Sequence, residues 1–501
     1  MQGTGVYVFG LTMAIAGPLC AAPSFLPAND CALCHSRPGV LTRFTSHFNA
    51  WKSSMMSAAA RDPYWRARVS AEVAAAPDPA ARARIEDKCL RCHAAADQYG
   101  YRGENKLMRV ADLTGLGREG VTCTVCHRIE ADGLGKLESF TGGFQIAASP
   151  VLFGPHEKPF TMPMQHHTGM EPVASRHILE PSFCATCHNL FVAGPEGRSD
   201  FPEQATHLEW LASSYPERGV NCITCHVPPI RDAGGSVASD YIAQRPPGGA
   251  FPPTNPRSPV GLHSFTGGNV QMLETLAGLE PDRGFRERAE ATRRFLGGAA
   301  KLEVSAASSQ DEVRLNIRVH NLTGHKLPSG LPVRRMWLHV IARDAGGRVV
   351  FESGGWNPDT GELRHERSFQ PHYQSVTSAD QAMIYETVLE NAGGDISNLF
   401  TQAVRYRKDN RLLPAGFGKA ANSLPPPLTL AVIAPVGTTG DPDFQAGGDS
   451  VEYRFPAGGR RGRLQIAVEV CFQSIGPRDS QGLTQHRAPV VIARTEVVHG
   501  R

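Results

Sequence analysis

The sequence has little that would direct the protein to a nucleic acid or into a membrane. The formal net charge is only +3 over 501 residues, and no long run of Lys and Arg is present, which disfavours nucleic-acid binding. No apolar stretch is long enough to span a bilayer. Aromatic residues, at 7%, are unexceptional. The informative residues are instead the 12 cysteines and 19 histidines, and their spacing is the strongest functional signal in the chain.

Residues 1–22, MQGTGVYVFGLTMAIAGPLCAA, are typical of a secretory signal peptide. The apolar run Val6–Ala16 is too short for a transmembrane helix, and AIA and CAA are both possible cleavage ends. The segment has no Lys or Arg before the apolar run, so the terminal amine would supply its positive charge unless the start codon is misplaced. We expect export to the periplasm, or secretion.

Ten of the twelve cysteines fall into five copies of one motif, C-x-x-C-H. Given these residue frequencies, about 0.01 copies are expected by chance. The five copies are CALCH with Cys31, Cys34 and His35; CLRCH with Cys89, Cys92 and His93; CTVCH with Cys123, Cys126 and His127; CATCH with Cys184, Cys187 and His188; and CITCH with Cys222, Cys225 and His226.

C-x-x-C-H is the attachment motif of haem c. Its two thiols bond to the two vinyl groups on one edge of the porphyrin, and the histidine that follows reaches the iron from the proximal side. Zinc knuckles, disulfide frameworks and thioredoxin-like sites do not require a histidine directly after each pair. The sequence therefore predicts five covalently bound haems c, attached outside the cytoplasm.

The sixth ligand of each iron separates an electron carrier from an enzyme. A carrier usually fills that position with His or Met, whereas an enzyme leaves one position open for substrate. After the five motif histidines, fourteen of the 19 remain as candidates. Sequence context favours His177, His263 and His325 as distal ligands, followed by His167 and Met56, with His47 also considered. No catalytic residue is assigned.

The pattern of apolar residues divides the mature chain in two. Residues 23–300 form a mainly α-helical and loop domain with the five motifs, and helices are predicted over 64–76, 79–91, 271–279 and 286–296. Residues 301–501 form an all-β sandwich, giving a mixed fold. Eight strands are predicted, at 312–321, 335–344, 346–354, 381–390, 428–436, 451–456, 463–472 and 490–498. RKDNR at 407–411 is interpreted as a solvated turn, and Cys471 as a buried thiol without chemistry.

Several longer strings resemble the cytochrome c554-type multihaem family. In the first half these are AWKSSMMSAAARDPYW, GVTCTVCHRI, ILEPSFCATCHNLF and FPEQATHLEWLASSYPERGVNCITCHVP. In the second half, NLTGHKLPSGLPVRRMWLHV, IYETVL and RYRKDNRLLPAGF resemble the β-domain that accompanies such cytochromes in secreted proteobacterial proteins. The resemblance covers almost all of the mature chain, and it is more specific for haem binding than for a physiological role.

The resemblance carries two expectations about distal ligands. In multihaem relatives a G-H-x-(hydrophobic)-P string supplies one, and here it matches Gly324, His325, Leu327 and Pro328. The β-domain is therefore expected to cap a haem held by the other domain. The family's first haem often takes its ligand from a W-x-x-S-x-H region, where this chain has Met55 and Met56. The first haem is left with three alternatives: His/Met ligation, ligation by His47, or an open site.

The first functional hypothesis is a secreted pentahaem cytochrome that passes electrons to and from other redox proteins, such as a cytochrome, a quinol-oxidising membrane module or a terminal reductase. The second is a multihaem oxidoreductase of the nitrite or hydroxylamine type, with one open haem; the first haem is its best candidate. The third is a scaffold subunit whose β-sandwich docks a larger complex.

Overall fold

The fold is seen in a computed structural model that describes residues 25–36, 46–192, 201–244, 254–309, 312–364, 369–457, 463–485 and 487–499. The expected signal segment 1–22 and the first part of the 245–259 loop lie outside the described residues. Within the described part of the chain, no helix is both long and apolar enough to cross a membrane.

The α-helices lie in the first 296 residues. They are α1 Ala28–His35, α2 His47–Lys52, α3 Pro63–Ala75, α4 Pro79–His93, α5 Ala95–Gly103, α6 Cys123–His127, α7 Thr161–Thr168, α8 Pro181–His188, α9 Thr206–Leu211, α10 Cys222–His226, α11 Val270–Leu279 and α12 Phe285–Leu296. The four predicted helices are present as α3, α4, α11 and α12. Both α3 and α4 begin with an Asp N-cap followed by Pro, the preferred start of a helix.

Strands concentrate in the second half. Four short ones come first: β1 Val151–Gly154, β2 Glu171–Ala174, β3 Asn189–Val192 and β4 Phe201–Ala205. The later strands are β5 Ala300–Ser308, β6 Glu312–Asn321, β7 Arg335–Arg343, β8 Val349–Ser353, β9 Ser375–Val376, β10 Ile384–Asn391, β11 Ile396–Ser397, β12 Ala403–Asp409, β13 Gly448–Pro456, β14 Leu464–Gln473 and β15 Val490–His499.

Two sheets of the second half pack into the expected β-domain. One has the order β11-β10-β7-β14-β15, with β12 added to β10 and β8 to β7, and the other has the order β5-β6-β13-β9. A shared apolar core lies between them. The alternation predicted for β6 is confirmed, because Val313, Leu315, Ile317 and Val319 all face this core with at most 1% exposure. Cys471, in β14, is fully buried, as predicted.

Two local predictions in the β-domain are wrong, and one strand was missed. Residues 428–436 form no strand; Leu430–Ile433 is a 3-10 helix, because prolines on both sides prevent ladder hydrogen bonds and Ile433 packs against helix α9 residues. The β5 strand was not predicted. RKDNR is not a solvated turn, since Lys408, Asp409 and Asn410 are at most 1% exposed.

The two halves are joined by buried charges. Glu72 of α3 accepts hydrogen bonds from the backbone N–H groups of Phe400 and Thr401, at 2.8 and 3.1 Å. Glu209 of α9 pairs with Arg411 at 3.0 Å and accepts the backbone N–H of Lys326 at 3.1 Å. Because such contacts need a fixed geometry on both sides, they hold the β-domain in one position against the helical half.

Candidate haem sites

Every C-x-x-C-H motif lies at the carboxyl end of a helix that ends at its histidine. This holds for α1, α4, α6, α8 and α10. One helical turn places residues i, i+3 and i+4 on the same face, so both thiols and the imidazole of each motif face the same way. That is the arrangement that thioether attachment plus proximal ligation requires.

The motif histidines are oriented through their Nδ1 atoms. Nδ1 lies 2.6 Å from a backbone carbonyl oxygen in His35, His127 and His226, and 2.9 Å from one in His93. The acceptors are the carbonyls of Ile242, Phe153, Thr266 and Ala59. A histidine that donates Nδ1–H to a carbonyl presents a bare Nε2 to a metal ion, which is the usual outer-shell arrangement of metal-binding histidines.

Burial keeps these imidazoles neutral. It lowers the pKa of His93 and His188 to about 4 and lowers the pKa of His35, His127 and His226. A neutral imidazole is the form that binds iron. Haem c therefore fits the five motifs in the charge of their histidines, and it fits His35, His93, His127 and His226 in tautomer as well.

Four histidine rings form a row that joins the first and third motifs. The ring centroids of His35 and His47 lie 6.1 Å apart, those of His47 and His263 4.6 Å apart, and those of His263 and His127 6.2 Å apart. The row thus alternates a wide separation, a direct contact and a second wide separation.

The wide separations match the width of one iron site. An imidazole nitrogen binds a transition-metal ion at about 2 Å and lies about 1.2 Å from its ring centre, so rings on opposite sides of one ion have centroids about 6.3 Å apart. His35 faces His47 at this spacing, with ring planes at 84°. His127 faces His263 with planes at 11°. The close pair, His47 and His263, lies between the two sites.

A third ring pair joins the helical half to the β-domain. His325 lies 6.4 Å from His226, with planes within 16°, and its Nδ1 lies 3.0 Å from the carbonyl oxygen of Lys326. The expected distal histidine of the G-H-K-L-P string is therefore placed opposite a motif histidine.

The loop that carries His325 is fixed on both sides of the ring. A Cβ at Gly324 would lie 3.1 Å from the side chains of Trp210 and Tyr215, so any larger residue would crowd these two aromatic rings. After the histidine, Lys326 is fully buried and pairs with Asp409 at 2.6 Å, and Leu327 exchanges two backbone hydrogen bonds with Leu412. The ring is aimed because its neighbours on either side cannot move.

The second and fourth motifs have different surroundings. His93 stacks on Trp65, with centroids 4.8 Å apart and planes at 11°. His188 has the side-chain amide of Gln204 3.2 Å from its Nδ1. Among the described residues, no second histidine ring faces either of them at the spacing of the other three pairs.

Three of the expected distal ligands are not brought to a motif histidine. Both ring nitrogens of His177 are in hydrogen-bond contact, with Ser175 Oγ and with the carbonyl of Ile129, each at 2.7 Å. His167 is exposed on α7, 3.1 Å from the Asp30 carbonyl. Met56 is partly buried, and the ring opposite His35 is that of His47. His47 had a weak signal in sequence, a histidine four residues before the tryptophan of the A-W-K-S-S string.

Cysteines of different motifs contact one another. Cys31 lies beside Cys123, Cys92 beside Cys187, and Cys184 beside Cys222. Cys126 also interacts electrostatically with Cys187. The five motif helices therefore form one connected group, in which the fourth motif adjoins the second, third and fifth.

Comparison with known proteins agrees with this geometry. Residues 30–128 match the family described as cytochrome c554 and c-prime. The whole fold is similar to a penta-heme cytochrome c552 from Thermochromatium tepidum, with a TM-score of 0.58 and 18% identity over 95% of this chain and 99% of that one. None of the curated proteins matches the sequence significantly.

The five attachment motifs, the facing histidine rings and the shared fold define a multihaem c-type cytochrome that binds haem c. Within that class, residues 30–128 are similar to the family described as cytochrome c554 and c-prime.

Proposed function

We propose that this protein is a pentahaem electron-transfer cytochrome, with one haem covalently bound at each C-x-x-C-H motif. The observation that carries the proposal is the row of His35, His47, His263 and His127, in which two iron-sized separations flank a direct ring contact. A bound haem c supplies one-electron chemistry through its ferric and ferrous states. The protein's residues hold, orient and insulate these groups.

In this proposal three irons have two histidine ligands each. The pairs are His35 with His47, His127 with His263, and His226 with His325. Such pairs leave no position for a substrate, which is what an electron carrier requires. The cysteine contacts support an ordered path, because each cysteine would hold the vinyl edge of its haem. Neighbouring thiols connect the first motif to the third, the third to the fourth, and the fourth to the fifth, with the second beside the fourth.

A second function is favoured by one observation. His93 and His188 have no facing histidine ring among the described residues, so an open iron at one of these two motifs would support oxidoreductase chemistry on a small molecule. This places the candidate open site at the second or fourth motif. The first motif, considered the best candidate from sequence, has His47 opposite its histidine.

We further propose that residues 1–22 direct export to the periplasm, where the partners would be other redox proteins. The support is the apolar run of that segment and the location of haem c attachment outside the cytoplasm. Amino-terminal sequencing of the mature protein from an expressing cell tests the cleavage, and a mature chain that retains residues 1–22 contradicts it.

The functions are separated by a haem count together with optical and EPR spectra of the oxidised and reduced holoprotein, with and without carbon monoxide. Five low-spin haems whose spectra are unchanged by carbon monoxide support the electron-transfer function. One high-spin haem that binds carbon monoxide supports the oxidoreductase, and turnover of nitrite and hydroxylamine would then be measured. Fewer than five haems contradicts the pentahaem proposal.

A further inference from the structure

Arg334 is a partly buried cation with unused hydrogen-bond donors. It lies at the end of the loop between β6 and β7, where its Nη1 donates to the Ser329 carbonyl at 2.7 Å and its guanidinium packs on Gly330. No carboxylate of the described residues forms an ion pair with it, and burial lowers its pKa to about 10. A guanidinium has five N–H donors, so most of its donors have no partner within the described chain.

Arg288 is an arginine of similar exposure whose hydrogen-bond donors do have acceptors. It also has no carboxylate partner among the described residues, but its nitrogens donate to Ser53 Oγ, Thr266 Oγ1 and the Ala50 carbonyl at 3.1 to 3.3 Å. Arg334 has no comparable set of neutral acceptors. Withdrawing a cation even partly from water without acceptors or a counter-charge is costly, which indicates that Arg334 has an anionic partner in the assembled protein.

The position of Arg334 indicates which anion this is. Gly268 lies two residues after Thr266, whose carbonyl oxygen is 2.6 Å from His226 Nδ1, and a Cβ at Gly268 would lie 3.7 Å from Arg334 Nη1. His226 and His325 are the two rings that face each other at the fifth motif. Arg334 therefore lies close to the backbone that orients His226, and it follows His325 in the same β6–β7 loop, so it adjoins the site of a haem held between the two rings.

One edge of that haem is fixed by the attachment cysteines. Cys222 contacts Cys184, and Cys225 is exposed on α10, a helix without buried residues. The two vinyl groups of a haem lie on one edge of the porphyrin and the two propionates on the opposite edge. The propionates are the anionic groups of a haem c, so they are the groups for which the loop carrying Arg334 could supply a counter-charge.

We propose that Arg334 forms an ion pair with a propionate carboxylate of the haem held between His226 and His325. The inference rests on the proposed ligation of that haem. The planar fork of arginine matches the two oxygens of a carboxylate, and the interior site strengthens the pair relative to one in water. The β-domain would then supply both the distal ligand and the counter-cation of one haem, from the same β6–β7 loop.

The test is an equilibrium redox titration of the holoprotein carrying Arg334→Gln, with Arg334→Lys and Arg294→Gln as comparisons. Removing a positive charge near an iron favours its ferric state, so Arg334→Gln is expected to lower the midpoint potential of one haem, and Arg334→Lys to restore most of it. Arg294 is exposed on α12, next to Phe295, whose ring lies 5.5 Å from that of His226. Its removal is the same change of charge in solvent and is expected to leave the midpoints unchanged.

The outcomes separate this inference from the proposed function. A wild-type protein that lacks a low-spin haem at the fifth motif contradicts the ligation, whatever Arg334 does. A fully loaded, low-spin Arg334→Gln protein whose midpoints match those of Arg294→Gln overturns the Arg334 pairing alone. If Arg334→Gln does not assemble, a crystal structure of the wild-type holoprotein decides: a propionate oxygen within about 4 Å of the guanidinium supports the pairing, and its absence overturns it.

Discussion

The imidazole rings of His226 and His325 face each other at 6.4 Å and within 16° of parallel. One ends a short helix of the helical half, and the other belongs to a loop between two β-strands. A haem bound between them would link the two halves of the molecule, so removing either ring has consequences for both redox chemistry and assembly.

Replacing His325 with alanine is expected to convert one low-spin haem to a high-spin haem that binds carbon monoxide, because the distal nitrogen is lost while Cys222, Cys225 and His226 still hold the group. Optical spectra with carbon monoxide measure this directly. His320→Ala is the control, since His320 lies on the same chain segment but only contacts Glu303 at 3.3 Å on the surface of the sheet. If His325→Ala has the wild-type spectrum, the pairing with His226 is wrong.

Two substitutions test whether His47 or Met56 is the distal ligand of the haem at the first motif. His47→Ala is expected to produce a carbon-monoxide-binding haem, whereas Met56→Leu, which preserves the volume and removes the thioether, is expected to leave all spectra unchanged. The physical reason is the 6.1 Å spacing of the His47 and His35 rings. If only Met56→Leu changes the spectra, the hypothesis of His/Met ligation at the first haem is supported instead.

The ring angles predict two kinds of EPR signal. Parallel imidazole planes split the two iron orbitals that overlap with them, whereas crossed planes leave those orbitals nearly equal in energy. The His35–His47 haem, with planes at 84°, is expected to give a highly anisotropic low-spin signal, and the other two pairs, at 11° and 16°, ordinary rhombic ones. His47→Ala should remove the anisotropic signal and no rhombic one. An anisotropic signal that survives in His47→Ala contradicts the assignment.

The buried pair of Lys326 and Asp409 is expected to stabilise the loop that aims His325. Lys326→Met leaves Asp409 buried with only Arg411, at 2.7 Å, and breaking one partner of such a network costs about 3–5 kcal/mol. A lower thermal midpoint and partial carbon monoxide binding should appear together. Lys301→Met removes an exposed pair with Glu303 and should leave the thermal midpoint close to that of the wild type, because solvent screens such pairs. Equal effects of the two substitutions would show that the buried network has no special role.

Asp449 is expected to make the stability of the β-domain depend on pH. Burial raises its pKa to about 7, and its Oδ2 accepts the Tyr385 hydroxyl at 2.8 Å. Asp441 raises this pKa and Arg318 lowers it, both by smaller amounts. The unfolded-state pKa is about 3.9. Between the two values only the unfolded chain has lost the proton, so stability falls as pH rises from about 4 to 7, by up to about 1.4 kcal/mol per pH unit.

Asp449→Asn keeps the size of the side chain and removes the titration. The thermal midpoint of Asp449→Asn is expected to rise relative to that of the wild type as the pH is raised from 5 to 8. The thermal midpoint of the exposed Asp443→Asn should differ from that of the wild type by the same amount at every pH. A constant difference between Asp449→Asn and wild type over this range would mean that Asp449 is already ionised at pH 5.

The sequence by itself determined the cofactor class, and it predicts which histidines are the proximal ligands. C-x-x-C-H is a local motif, and one helical turn is enough to place Cys31, Cys34 and His35 on a single face, so spacing along the chain is also spacing in space. The same holds for the strand alternation of β6 and for helices α3 and α4, whose caps and periodicity are local. His325 was found because its glycine and proline neighbours form a recognisable string.

Only the tertiary structure decided which histidine faces which. His263 meets His127 through a contact between segments far apart in sequence, and although His47 follows His35 closely, no local pattern records that their rings face each other. His177 has as favourable a context as His263, yet its two nitrogens are in contact with Ser175 and the Ile129 carbonyl. The burial of Lys408 and Asp409 was likewise invisible in a charged stretch. Buried charges and distal ligands depend on what the rest of the chain places beside them, and that is settled only when the two halves pack together.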